Sequence, residues 1–275
     1  MAEKRRGIWG TIHWIWIRVG ALAGIVFVSW SLLAYRATSE ARAALNSDDG
    51  VEVTDRADHW RFAPRQGMSD VGLIFFAGAL VDPAAYAPLA HAVAERGYPV
   101  LLIRLPRRGA FGGANGALPL TRAIDATLGV PGVKRWVASG HSRGGKVASE
   151  LARTRAGSLV GLILIGTSHP RDFSLANSRI PVTRIFGSRD TVADVEKVLE
   201  VRRNLPPDTR DVPIDGANHS QFGYYGFQPG DWPATITRAE QQRLTLEAVL
   251  SALRDASSSR ETQSGRLRKT HGLTP

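Results

Sequence analysis

Between residues 51 and 253 the chain alternates short apolar runs with stretches of helical spacing. The runs are VEV at 51–53, HWRFAP at 59–64, VGLIFFAG at 71–78, YPVLLIRLP at 98–106, VKRWVASG at 133–140, LVGLILIG at 159–166, PVTRIFGS at 181–188 and RDVPID at 210–215. The later runs are apolar at nearly every position. That fits parallel strands covered on both faces, since a strand with one wet face alternates instead. Between the runs, Tyr86, Leu89 and Val93 recur at helical spacing, and Gly97 stands where a C-terminal cap belongs. Thr237 and Glu240 form a capping box that opens a last helix, with Leu246, Val249, Leu250 and Leu253 on its inner stripe. The alternation predicts an α/β domain over 51–255. Its core would be a doubly wound, mostly parallel central sheet of about eight strands, with right-handed crossovers and helices on both faces. No internal repeat is visible.

The ends of the chain read differently. Lys4, Arg5 and Arg6 precede the aromatic stretch GIWGTIHWIWIR, and then VGALAGIVFVSWSLLAY runs from Val19 to Tyr35 without a charge, bounded by Arg18 and Arg36. A spanning helix needs about 20 mostly apolar residues, with about 17 as the lower limit. Trp9, Trp14, Trp16 and Trp30 suit an interfacial belt. A cleaved signal has a core of roughly 7–15 residues with a small-x-small site close behind. Here the nearest such site, Ala41-Arg42-Ala43, lies well beyond the core. Residues 1–36 are therefore expected to be a cytoplasmic N-terminus and an uncleaved transmembrane signal-anchor. A cleaved signal, leaving a secreted domain, is the alternative, and a buried core helix is the third reading. The basic cluster would keep the N-terminus inside and put the domain on the extracytoplasmic side. Residues 37–50, small and polar, are expected to be a linker. The tail 256–275, rich in Ser, Arg and Gly, is expected to be disordered.

Composition narrows the chemistry. The 275 residues suffice for one domain with a sizeable core, and 43% hydrophobic with 22% charged residues is a globular balance. The absence of cysteine excludes disulfides, thiolate metal sites and a Cys nucleophile. The net charge of +10 comes mostly from scattered arginines, with no basic stretch interleaved with aromatics. No nucleic-acid partner is expected on that pattern. A membrane surface fits the charge better.

The candidate chemistry centres on ASGHSRGG at 138–145, which contains Gly140-x-Ser142-x-Gly144. A strand candidate precedes it and a helix candidate, RGGKVASELART, follows. Ser142 then sits at a strand-to-helix turn so tight that side chains two positions before and after it would collide with backbone. The turn would lift the hydroxyl above the sheet edge and aim the first helical N–H groups at the reacting site. The plainer reading is a serine helix cap in a glycine-rich turn.

A nucleophilic serine needs a base, and the base needs an orienting acid. Three histidines follow Ser142: His169, His219 and His271. His271 lies in the tail. His219 follows the last strand and is the expected base, with His169 as the alternative. Asp190, in the loop after VTRIFG, is the expected acid, ahead of Asp215 and Asp172. The oxyanion donors would be the N–H of Arg143 and an N–H after the first long central strand, from Ala79 or Leu80. Arg107, Arg108, Arg143, Arg171 and Arg189 all fall in loops after strands. They read either as scattered solubilising residues or as an electropositive rim that draws in anionic substrates or anionic headgroups.

GHSRGG, GSRD and GANHSQFGYYGFQPGD resemble the α/β-hydrolase superfamily, in a compact bacterial branch with dienelactone-hydrolase-like and esterase-like members. The resemblance spans about 55–253. It implies an α/β-hydrolase fold and a Ser142–Asp190–His219 triad working through an acyl-enzyme on an ester or related acyl bond, with no metal or cofactor. Two departures stand out. Dienelactone hydrolases use a cysteine nucleophile, and the usual His-Gly before the oxyanion loop is Ala77-Gly78 here. Only Thr167 to about Arg179 separates the sixth strand from the acid-bearing one, which leaves no room for a large cap domain. A shallow pocket is expected, partly covered by 106–120 and 220–232. The implied partner is a small-molecule or lipid-like ester, with an anionic one favoured by the rim. An acyltransferase on the same triad and a non-catalytic binding module on this scaffold are the rival functions.

Overall fold

The computed structural model describes residues 7–155 and 157–270; Lys4, Arg5, Arg6 and His271 lie outside the described residues. Each expected apolar run holds one strand: β1 Val51–Asp55, β2 His59–Pro64, β3 Val71–Phe76, β4 Val100–Ile103, β5 Arg135–His141, β6 Leu159–Ile165, β7 Val182–Gly187 and β8 Arg210–Ile214. They form one sheet in the order β1-β2-β4-β3-β5-β6-β7-β8. β2 pairs antiparallel with both β1 and β4, and every other pairing is parallel. The helices are α1 Ile8–Ala34, α2 Ser39–Ala43, α3 Ala87–Glu95, α4 Ala117–Leu128, α5 Arg143–Thr154, α6 Val195–Glu200 and α7 Arg238–Thr270.

β3 shows why the central runs lack alternation. Leu73 and Phe75 face a core shared with Val93 of α3 and Val249 and Leu253 of α7. Ile74 and Phe76 face the opposite core, shared with Ala123 of α4 and Val147 and Leu151 of α5. Both faces are covered, so both sets of positions must be apolar. The Gly97 cap forms as predicted, and of the capping box the Thr237 half forms, while the Glu240 carboxylate pairs with Arg243 instead. Gly97 has φ 91, and a Cβ there would lie 2.9 Å from the Gly67 carbonyl. Thr237 Oγ1 accepts from the Glu240 N–H at 3.2 Å.

The strands β3 to β8 are all parallel, so the loops that follow them gather at one edge of the sheet. Between β6 and β7 there is neither helix nor strand, so no large cap domain covers that edge.

Two expectations about the flanks need correction. α7 runs to Thr270, so residues 256–270 continue a helix rather than forming a disordered tail. Ala256 is buried, and its carbonyl accepts from Arg135 Nη1 at 2.9 Å. A helix already nucleated extends at little cost per residue, even through serines.

Residues 37–50, expected as a linker, are packed onto the domain. The Thr38 N–H donates to the Tyr224 carbonyl (2.9 Å), Asp82 N–H to Tyr35 O (2.9 Å) and Gly226 N–H to Ala34 O (2.8 Å). Tyr35 is buried edge-on against Tyr225, with ring centroids 5.7 Å apart. Ala41 of α2 is buried, Arg42 pairs with Asp82 at 2.5 Å, and Asp48 meets His91 at 3.3 Å. The alanines suggest a linker by composition, but here their small side chains allow close packing.

α1 is long and apolar enough to cross a membrane. Ile8–Trp30 has a mean hydropathy of 1.7 and buries none of its length in the protein. Arg18, within it, lies over the Trp14 ring at 3.3 Å.

Candidate active site

β5 ends at His141 and α5 begins at Arg143, so Ser142 alone makes the turn between them. Its φ of 52° and ψ of −118° lie outside the regions open to most side chains. Neighbours hold it there: the Ser142 N–H donates to the Ile165 carbonyl at 2.9 Å, and its own carbonyl accepts from Gly145 N–H at 3.0 Å. A Cβ on Gly140 would stand 2.3 Å from the Gly144 carbonyl carbon, and one on Gly144 would stand 2.0 Å from the Phe76 oxygen. Both are overlaps with backbone, so only glycine fits at either position. Such strain survives only where the surroundings over-determine it. Arg143 is the first residue of α5, and its N–H has no intrahelical acceptor.

His219 and Asp190 meet from two different loops. His219 Nδ1 lies 2.8 Å from Asp190 Oδ2, and both side chains are buried. The other carboxylate oxygen accepts from the N–H groups of Val192 (2.9 Å) and Ala193 (2.7 Å). Those two bonds fix the carboxylate so that Oδ2 faces the ring. The His219 ring packs on His141, with centroids 4.4 Å apart, and His141 directly precedes Ser142. The loops after β5, β7 and β8 therefore converge.

Several contributors to this arrangement carry no motif. Asp231 accepts from the His219 N–H (3.1 Å) and from Ser220 N–H and Oγ (2.8 Å each). Gln241 of α7 braces Asn218 through its backbone N–H (3.1 Å) and carbonyl (2.7 Å). Tyr86 accepts from the Gly78 N–H (3.2 Å), and its oxygen lies 2.7 Å from His141 Nδ1. Burial raises the Tyr86 phenol, so it stays protonated and donates to that nitrogen. Burial first, and His219 second, hold His141 well below the usual histidine range, so its ring is neutral. The Gly78–Tyr86–His141 chain ties the loop after β3 to the serine turn.

The two candidate oxyanion donors differ. Leu80 has φ 64°, and its N–H donates to the Arg108 carbonyl at 2.8 Å. Among the described residues, the Ala79 N–H has no acceptor. The expected rim is also uneven. Arg107 and Arg108 take left-handed φ values of 49° and 50°. Arg107 is exposed and donates to the Phe111 carbonyl (2.8 Å), while Nη1 of Arg108 is buried without a partner. Arg189 lies over Trp232, 5.5 Å from the ring centre.

Arg143 and Arg171 stand near His169. Burial, then Arg171, Arg143 and Lys146, push that ring down to about 4. His169 Nδ1 is buried without a hydrogen-bond partner. As the alternative base it lacks an acid: Asp172 exerts only the weakest, opposing pull. Asp215 accepts from Ser188 Oγ at 2.8 Å instead of holding a histidine.

These shifts predict an acid weakness. A histidine depressed on folding binds its proton mainly in the unfolded chain, between its folded value and the ordinary 6.5. Its contribution to stability is present above pH 6.5 and lost as pH falls towards 4. For His169 the loss is about 1–2 kcal/mol once the ring's partial exposure is allowed for, and His141 acts in the same direction. The melting temperature should fall between pH 7 and pH 4.5. His169→Asn should make that fall shallower, and an unchanged slope in thermal melts would contradict the assignment.

Comparison with known proteins follows the same lines. Residues 72–243 match the model of the alpha/beta hydrolase family. The fold is similar to the carboxylesterase CesB of Bacillus subtilis (11% identity, TM-score 0.53, covering 83% of this chain and 97% of that one). It is similar also to a dienelactone hydrolase from Anabaena variabilis (16%, TM-score 0.56, 74% and 99%) and to a Paleococcus ferrophilus monoacylglycerol lipase (16%, TM-score 0.52, 73% and 99%). Curated protein sequences give no match. At these identities the solved structures speak to the fold alone. The family model, by contrast, takes in more than half of the 275 residues and runs from β3 past His219, across every loop that builds the site. The chain belongs to the alpha/beta hydrolase family.

Proposed function

We propose that this hydrolase cleaves a carboxylic ester or related acyl bond with Ser142 as nucleophile, His219 as base and Asp190 as acid. The observation that carries the reading is the buried 2.8 Å His219–Asp190 bond, with the imidazole packed against the residue that precedes a strained serine. Asp190 accepts a hydrogen bond from Nδ1–H, which holds Nε2 unprotonated and free to take the serine proton. Ser142 attacks the acyl carbon, and His219 passes the proton to the leaving group. The N–H groups of Arg143 and Ala79 stabilise the oxyanion, because the Leu80 N–H is already engaged. Water then attacks the acyl-enzyme by the same route and frees Ser142.

On this reading α1 is an uncleaved anchor, and the basic cluster at 4–6 puts the domain on the extracytoplasmic side. The packing of residues 34–48 supports the anchor: a cut behind Ala43 would strip Tyr35, Ala41 and Arg42 from the folded domain. The full chain in membranes should react with a fluorophosphonate at Ser142, and Ser142→Ala should abolish the label while keeping the fold. A folded wild type that takes no label, or a label that persists in the variant, would overturn the assignment.

A further inference from the structure

We infer that the C-terminal edge of the sheet lies against the bilayer, so that the mouth of the active site opens onto the lipid headgroups. The inference rests on the reading of α1 as an uncleaved anchor.

The first observation is where the anchor ends. α1 stops at Ala34, and Tyr35 is already buried in the domain. The hydrogen bonds that fasten this junction go to Tyr224 and Gly226, in the loop that follows His219, and to Asp82, in the loop that follows β3. Both loops belong to the catalytic edge. The chain then passes along α3, where Asp48 meets His91, and reaches the far edge at Val51, which pairs with Pro64. The helix thus joins the domain at the catalytic edge, with no free residue between them. One extended residue spans only about 3.5 Å, so the domain has no slack to swing that edge away from the membrane.

The second observation is independent of the helix. Phe111 is 70% exposed and Leu118 53%, both in the segment after β4. Phe227 is 64% exposed and Trp232 59%, both in the loop after β8. These side chains stand on the same edge as Ser142, in the two segments expected to flank its pocket. Rings of this size left in water on one edge mark an interaction surface, and aromatics favour the headgroup level of a bilayer. Arg36, Arg107, Arg143 and Arg171 are exposed among them, a charge that suits anionic headgroups. Of the acids on this edge, Asp82, Asp190 and Asp231 are buried and hydrogen-bonded, and exposed Asp55 is paired with Arg104, while Asp172 and Asp215 are exposed. Met68 and Leu128 are exposed at the opposite edge, where no anchor joins, and they supply the control.

The chain has no cysteine, so single substitutions can be labelled uniquely. Phe111→Cys, Phe227→Cys, Met68→Cys and Leu128→Cys in the full chain would each carry an environment-sensitive fluorophore. The samples are reconstituted in phosphatidylcholine vesicles containing about a third phosphatidylglycerol, with and without doxyl-labelled acyl chains. Quenching at positions 111 and 227 should exceed that at 68 and 128 by at least about twofold. Equal quenching at both edges, or a chain that stays in solution, overturns the inference. Fluorophosphonate labelling of the same samples scores the nucleophile separately, so either reading can fail alone.

Discussion

Asp190→Asn should lower kcat on any ester the wild type turns over by about a thousand- to ten-thousand-fold, with the fold intact. The reason lies in how the carboxylate is held. Oδ1 accepts two backbone N–H groups, from Val192 and Ala193. An asparagine keeps those bonds only if its carbonyl oxygen takes that position, which turns its NH2 towards His219 Nδ1. A donor facing Nδ1 forces the proton onto Nε2, and the ring can then no longer accept the serine proton. The melting temperature should stay close to that of the wild type, because both loop bonds survive. Asp190→Ala should also lose activity, but at a visible cost in stability, because it leaves the Val192 and Ala193 N–H groups without their acceptor. If Asp190→Asn kept kcat within tenfold of the wild type, Asp190 would not be the orienting acid. Steady-state kinetics beside thermal melts of the two variants separates these outcomes.

What the sequence made legible follows from what residue types encode. The strands were visible because burial on both faces demands apolar side chains, as at Leu73 to Phe76. The serine turn was visible because Gly140 and Gly144 are the only residues that fit there. That Asp190 and His219 would meet could be read because each follows a readable strand. The rest depends on backbone groups and distant partners. Nothing in the letters of Leu80 announces a left-handed conformation or an N–H given to Arg108. The bond between Tyr86 and His141 joins residues 55 positions apart, and a histidine beside a serine carries no sign of it. Nothing in the letters of Asp231 says that its carboxylate accepts from the His219 N–H. The packing of residues 37 and 38 onto the domain, at the junction with α1, is invisible for the same reason. Its main ties are backbone hydrogen bonds, which composition does not record.

That junction carries the second large prediction. A soluble chain beginning at Ala34 and one beginning at Ser47 differ only in residues 34–46, which sequence alone divides between the end of the anchor and most of the linker. If it were a linker, the two would melt together. Packing says otherwise. Removing it exposes the Tyr35 pocket, at about 2 kcal/mol for a buried side chain of that size. It also removes the acceptors of the Gly226 and Asp82 N–H groups and the donor to the Tyr224 carbonyl, each worth about 1 kcal/mol. Asp82, largely buried, loses its Arg42 partner as well. These terms overlap, and a net loss of about 3–5 kcal/mol is expected, or roughly 10 °C in melting temperature for a domain of this size. Activity should fall with stability, because the freed loops are the one after β3, which holds the proposed oxyanion donor Ala79, and the one that follows His219. Coincident melting curves and equal turnover for the two chains would reduce the segment to a tether after all. A large gap would show that the end of α1 and the loops after β3 and β8 are one cooperative unit, and that a cut behind Ala43 would release a weakened domain.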